Sequence, residues 1–498
     1  MKTTITKILC VMLVLVMALT AVGCKDKKDP AAGQPTVTTP INTEVVFPLE
    51  EKNWNGEKLT IATLNSDTSS FFTMLCGEEM LGYEVHDSIF QRDLAMYDRF
   101  GIDVYYQSYE NPVNSNGGNL LSPVQQAIKG KTYICDMINA NLKGCILSLA
   151  ASNHLYNINS MPLIDMENAW WASYFAEGAT YGDKLYYTAG MTAGGGFFAT
   201  PYVMACNTEL QRDVYLADGT QMDIFALVDE GNWTISVMTD IVTDYSMILD
   251  GSRTEFDISA DRMAFLHVGG GIITGGCHFI GAGGKFCTTN EDGELDVYNH
   301  LVTQSNQQLI KDLQNLFALV KDGNGYGKEP GDPFGEGRAL FMGNSMTMAN
   351  DLISCEYDYA IIPCPKSNNP SQTEYYSGVN TWTAGFTAYA ANLENAEFVA
   401  YASEALGWLS YIKVRPEVYD ATLCLRIVRD DDRQVTIMDE IFANLYIDLN
   451  YLNEFGGSID KLCASIYNAD QNYYTNMQKL ERAIGRDVDK FVANMAAA

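Results

Sequence analysis

Lys58-Leu59-Thr60-Ile61-Ala62-Thr63-Leu64 is a short β-type run bounded by Gly56 on one side and by Asn65-Ser66-Asp67 on the other. Its apolar and β-branched residues and its turn-forming flanks predict a strand. Outward from it, Asp87 to Phe100 predicts a helix, with Ile89, Leu94, Tyr97 and Phe100 near one face and Gly101 just past its end. Ile102 to Gln107 predicts a second strand and Pro123 to Lys129 a helix. Tyr133 to Ile138 predicts a third strand, ending at Asn139-Ala140-Asn141. This alternation predicts an open α/β sheet, a class in which ligands sit beyond the carboxyl ends of the strands. Those ends are polar here: Asn65, Ser66 and Asp67 after one strand, Asn139 and Asn141 after another.

The character changes at Ser160-Met161-Pro162. Trp170-Trp171 follows in an aromatic stretch, and Leu185 to Ala189 and Tyr202 to Asn207 predict strands. Gly231-Asn232-Trp233-Thr234 opens a helix in which Trp233 is expected to be packing. Leu301 to Val320 and Ala396 to Tyr411 predict helices, Arg338 to Met342 and Tyr359 to Pro363 strands, and the C-terminal region reads as helical. Gly190 to Gly196 and Gly269 to Gly284 are glycine-rich. Neither is a phosphate loop, because Gly284-Lys285 is followed by Phe286, so both read as flexible loops.

At the N-terminus, Lys2 and Lys7 precede an apolar run from Ile8 to Leu19 and then Ala21-Val22-Gly23-Cys24. So short an apolar core before small residues predicts a signal peptide over residues 1–23 and not a membrane span. The cysteine after it resembles the bacterial lipobox, although Ala21 stands where Leu is commoner, and Cys24 is the expected site of lipidation. Residues 24–55, with Lys25-Asp26-Lys27-Lys28-Asp29, Pro30, Gly33 and Pro35, lack hydrophobic periodicity and read as a flexible tether.

The 498 residues carry a formal charge of −30, which repels phosphate backbones and anionic headgroups alike and excludes nucleic acid as a partner. Attachment to a membrane must then come from lipid, and stable anchoring takes two acyl chains. The chain beyond the tether exceeds one ordinary domain, so two lobes are expected. Its 47% hydrophobic content can fill a core of that size. Twelve cysteines include Cys10 and Cys24; the rest form no CxxC pair and read mostly as free buried thiols. Five scattered histidines lack metal-ligand spacing, so neither a metal nor another cofactor is expected.

The order of these pieces resembles the extracellular solute-binding proteins of ABC importers, in particular the sugar-binding branch called family 1. Gly182-Asp183-Lys184-Leu185-Tyr186 looks like that family's strand opening, and Val203-Met204-Ala205-Cys206-Asn207 like its strand ending in Asn. Gly231-Asn232-Trp233-Thr234, Gly337-Arg338-Ala339-Leu340-Phe341 and Tyr359-Ala360-Ile361-Ile362-Pro363 resemble its later elements. Arg415-Pro416-Glu417-Val418-Tyr419-Asp420 is similar to a stretch in large gut-Firmicute lipoproteins. The resemblance implies a two-lobe, periplasmic-binding-protein-like α/β fold of type II, with a hinge and an interlobe cleft. Residues 56–162 and 336–372 are expected in lobe 1, and 163–335 and 373–498 in lobe 2. It further implies a monomer, lipid-anchored on the outer face of the cell membrane, that delivers a solute to permease subunits.

A sugar site wants aromatic platforms for C–H faces and planar polar side chains for hydroxyls. Trp170, Trp171, Tyr202 and Trp382 are the candidate platforms; core packing is the competing account of each. Asn65, Asp67, Asn139, Asn141, Asn344 and Asn380 are the candidate polar contacts, against roles as turn formers or caps. The expected ligand is a mono- or oligosaccharide, with peptide or another polar solute as the alternative. A surface glycan-degrading enzyme is the rival class. Its two carboxylates would be hidden among 62 acidic residues, but no nucleophile elbow is present.

Overall fold

The computed structural model describes residues 45–497 apart from 65–68, 111–118, 246–248, 253, 255–256, 258, 268–269, 291–293, 324–331 and 430. The expected signal peptide, Cys24, most of the tether, Asn65 and Asp67 lie outside the described residues.

Along the chain the strands are β1 (Glu57–Leu64), β2 (Ile102–Tyr109), β3 (Met137–Asn141), β4 (Tyr187–Ala189), β5 (Tyr202–Asn207), β6 (Met263–His267), β7 (Thr288–Thr289) and β8 (Leu295–Asp296). They continue with β9 (Ala339–Ser345), β10 (Tyr359–Ile362), β11 (Ser377–Gly378), β12 (Ala384–Tyr389) and β13 (Leu445–Tyr446). Two sheets dominate, ordered β2-β1-β3-β12-β4 and β10-β5-β9-β6. β1 lies inside the first sheet, parallel to both neighbours, and its Leu59, Ile61, Ala62 and Leu64 are buried. Burial on both faces explains why it reads as a continuous apolar run and not as an alternation. Helices Glu84–Phe100 and Ala396–Lys413 pack together over the first sheet's flank. Gly101 ends the first of them at φ 62°, with its N–H on the carbonyls of Met96 and Tyr97. Gln304–Gly323 and Ser458–Tyr467 pack beside the second sheet.

The pairing corrects the expected lobe boundaries. β9 and β10, within 336–372, pair with β5, and β9 also pairs with β6. They therefore belong with the second sheet. β4 and β12, expected in the second lobe, complete the first sheet through β3. The local sequence of a buried strand states its burial but not its partner, so each set suited either sheet.

The chain crosses between the sheets beside β5 and β12. Pro201 bridges to Val379, Asn380 N–H donates to Thr200 O at 2.8 Å, and Met346 N–H donates to Pro201 O at 2.8 Å.

Both glycine-rich segments differ from the expected flexible loops. Gly270–Gly281 is a helix, and a Cβ on Gly275 would stand 2.7 Å from the Cys463 carbonyl oxygen. Close helix packing outweighs glycine's poor helix propensity there. Met191–Ala199 is a buried helical turn, with Gly195 against the backbone of Phe71 to Thr73. Trp233 is buried and donates from Nε1 to Pro363 O at 3.0 Å, the packing role expected of it. The ten described cysteines are free thiols, nine of them buried and Cys76 half-buried. Among the described residues no helix is long and apolar enough to cross a membrane.

Candidate ligand-binding site

β3 delivers Asn141 to the crossing. Its register sets Asn141 opposite Ala384, and Lys143 N–H donates to Thr381 O at 2.9 Å. Asn141 is buried, yet its Oδ1 has no hydrogen-bond partner among the described residues. A buried acceptor left this way costs free energy that a bound donor would recover.

Beside it, the backbone turns through Asn380-Thr381-Trp382. Trp382 N–H donates to Asn380 Oδ1 at 3.0 Å and Thr383 Oγ1 to Asn380 O at 2.7 Å, a tight turn that leaves the Trp382 ring 41% exposed. Lys143 forms an ion pair with Glu454, which follows the short helix Leu449–Asn453. Burial lowers the Lys143 pKa. The crossing thus gathers an aromatic face, an unused amide oxygen, a cationic donor and a carboxylate at the carboxyl end of β3. Such groups can hold a neutral polyhydroxylated molecule.

Other candidate residues are placed differently. Asn139 is fully buried: its Nδ2 donates to Thr192 O at 3.0 Å and its Oδ1 accepts from Thr387 Oγ1 at 2.9 Å. Thr192 and Thr387 also join hydroxyl to hydroxyl at 2.8 Å, so the amide belongs to an internal network. Tyr202 is fully enclosed, its hydroxyl 3.5 Å from Thr274 Oγ1, and offers no free face in this conformation. Asn344, half-buried opposite Val203, accepts at Oδ1 from Ser345 N–H at 2.8 Å. Asn141, Asn380 and Trp382 are therefore the candidates brought together. Lys143 and Glu454 join them unforeseen: only the position of Lys143 just beyond a strand end signalled it.

Trp170 and Trp171 stand elsewhere, both buried. Their Nε1 atoms donate to the two oxygens of Glu404 at 3.0 and 2.8 Å, and Asn168 Nδ2 and Asp165 N–H donate to the same carboxylate. Burial drives the Glu404 pKa up to about 7 even against these donors. The pair forms one side of a half-open cavity of 310 Å³, completed by Phe197, Phe198, Arg415, Tyr419, Asp439 and Phe442. Among the described residues no cluster of His, Cys, Asp and Glu could hold a metal ion.

Two α/β sheets joined by crossing segments, with polar groups at the crossing, match known structures over nearly their whole length. The fold is that of the two-lobed solute-binding proteins. The cyclic α-maltosyl-1,6-maltose binding protein of Arthrobacter globiformis aligns with a TM-score of 0.55 at 13% identity, over 87% of this chain and 99% of that one. A cyclo/maltodextrin-binding protein solved with maltotetraose aligns with a TM-score of 0.55 at 12% identity, over 88% and 98%. The maltose-maltodextrin binding protein of Alicyclobacillus acidocaldarius gives 0.50 at 10% identity, over 86% and 100%. At these identities the likeness is one of fold. No protein-family model matches the sequence, and neither does any curated protein.

Proposed function

We propose that this chain captures a small carbohydrate outside the cell and hands it to an ABC import permease, without chemically changing it. The observation that carries this reading is the crossing itself. Two separate sheets meet at Thr200–Pro201 and Val379–Asn380, where Asn141 keeps a buried acceptor unused and Trp382 keeps an open face. The solved proteins that share the fold are described as binders of maltose, maltodextrins and cyclic maltosides, which supports a saccharide as the ligand class.

In this account the crossing segments act as a hinge, and the sugar favours the closed arrangement by contacting both sides. Trp382 stacks on the apolar face of a ring, while Asn141 Oδ1, Lys143 and Glu454 exchange the hydroxyls' hydrogen bonds. Cys24, diacylated after removal of residues 1–23, tethers the acidic domain to the outer face of the cell membrane near its permease. Mass analysis of the mature N-terminus tests the anchor: a free Cys24 thiol on an uncleaved chain would contradict it. A thermal-shift screen over saccharides and peptides tests the ligand, because tight binding to the folded state raises the melting temperature. A response to peptides alone would replace the carbohydrate reading.

A further inference from the structure

The 310 Å³ cavity beside Trp171 shares none of its lining with Asn141, Lys143, Asn380 or Trp382. It lies near the lower limit of small-ligand sites, which run from about 300 to 1,000 Å³, so its size suits one ring and not a chain of rings. We propose that it is a second saccharide site, distinct from the crossing, for a single neutral sugar ring. The inference rests on the carbohydrate reading above.

The wall is aromatic and held in place. Phe198 and Tyr419 each pack on Phe442, with ring centroids 5.7 and 5.4 Å apart, and Phe197 packs on Phe198 at 5.3 Å. Glu404 holds both indole N–H groups of Trp170 and Trp171, so the tryptophans are tied back and do not collapse into the space. Such faces take the C–H side of a sugar ring.

The polar groups select against charged guests. Arg415 bonds Asp420 through Nη1 alone, at 3.1 and 3.2 Å, which leaves Nε and Nη2 as donors. Asp439 accepts from the Tyr419 hydroxyl through Oδ1 at 2.5 Å, which leaves Oδ2 as an acceptor. An anionic guest would face Asp439, and a cationic guest would face Arg415. A purely apolar guest would strip water from both charges and return no hydrogen bond. A hydroxyl pair both donates and accepts, and so satisfies the guanidinium and the carboxylate together. Phe198 lies just before Thr200, so the two sites share one segment of chain.

The test is isothermal titration of the full mature chain with glucose, galactose, mannose and xylose, for wild type and for Trp382→Ala, Asp439→Asn and Arg415→Lys. Asp439→Asn keeps an acceptor for Tyr419, and Arg415→Lys keeps a cation beside Asp420, so both variants retain the fold. The proposal expects two binding events for one of these sugars. Trp382→Ala should abolish or weaken one of them, and Asp439→Asn and Arg415→Lys should each weaken the other by about tenfold, the worth of one charged hydrogen bond. A single event lost in Trp382→Ala and untouched by the other two variants would overturn the second site while leaving the carbohydrate reading intact. No event with any saccharide, including oligosaccharides, would overturn both.

Discussion

Asn380 donates its backbone N–H to Thr200 O at 2.8 Å and accepts Trp382 N–H on its side chain at 3.0 Å. One residue thus ties the crossing together and sets the angle at which Trp382 faces solvent. Trp382→Ala should therefore weaken saccharide affinity by about tenfold through loss of an aromatic platform. It should alter stability by no more than about 0.5 kcal/mol, as expected of a partly exposed side chain. Calorimetric titration and urea unfolding of the same variant read the two effects separately; unchanged affinity would remove Trp382 from the site.

Asn139 should behave in the opposite way. Asn139→Ala strands the Thr192 carbonyl inside the protein and leaves the Thr387 hydroxyl only its bond to Thr192 Oγ1, at a cost of about 1–3 kcal/mol. Urea unfolding should register that loss. A stability equal to wild type would mean that the network adds nothing to the backbone pairing of β3 with β12.

Glu404 makes stability depend on pH. Its carboxyl is raised to about 7 in the folded chain from a reference value of 4.5, so between these values the folded state binds the extra proton. Its contribution is fully present below about pH 4.5 and is lost as pH rises through about 7, by on the order of 3 kcal/mol. Glu404→Gln cannot titrate. The stability of wild type relative to Glu404→Gln should therefore fall over that window, as measured by urea unfolding at pH 4.5 to 8. A difference that stays flat or rises with pH would contradict the buried acid.

Gly275 tests the helix found where the sequence suggested a loop. Gly275→Ala should push helix Ser458–Tyr467 away and destabilise the protein by about 1–3 kcal/mol, the usual cost of overpacking. A solvent-exposed loop glycine would tolerate the change, so a loss near zero would restore the loop reading.

These cases show what the sequence can and cannot express. β1, β2 and β5 were legible because burial and turn chemistry are written in adjacent residues. The Gly270–Gly281 helix was not, because its reason for glycine is the Cys463 backbone, far away in the chain. The partners of β9 and β10 were hidden for the same reason. The positions of Asn141, Asn380 and Trp382 at a strand end and a turn were legible because such places advertise themselves locally, whereas Glu454 meets Lys143 only through the fold. Trp170 and Trp171 read locally as platforms or as core packing, and Glu404, buried midway along the apolar helix Ala396–Lys413, was the overlooked sign of a buried partner.

Saccharide titration of the mature chain, with the sugar recovered and identified afterwards, decides whether this chain captures sugar without changing it. The expected result is saturable binding, weakened by Trp382→Ala, with the sugar returned intact. Failure of every saccharide to bind, or recovery of hydrolysed sugar, would contradict it.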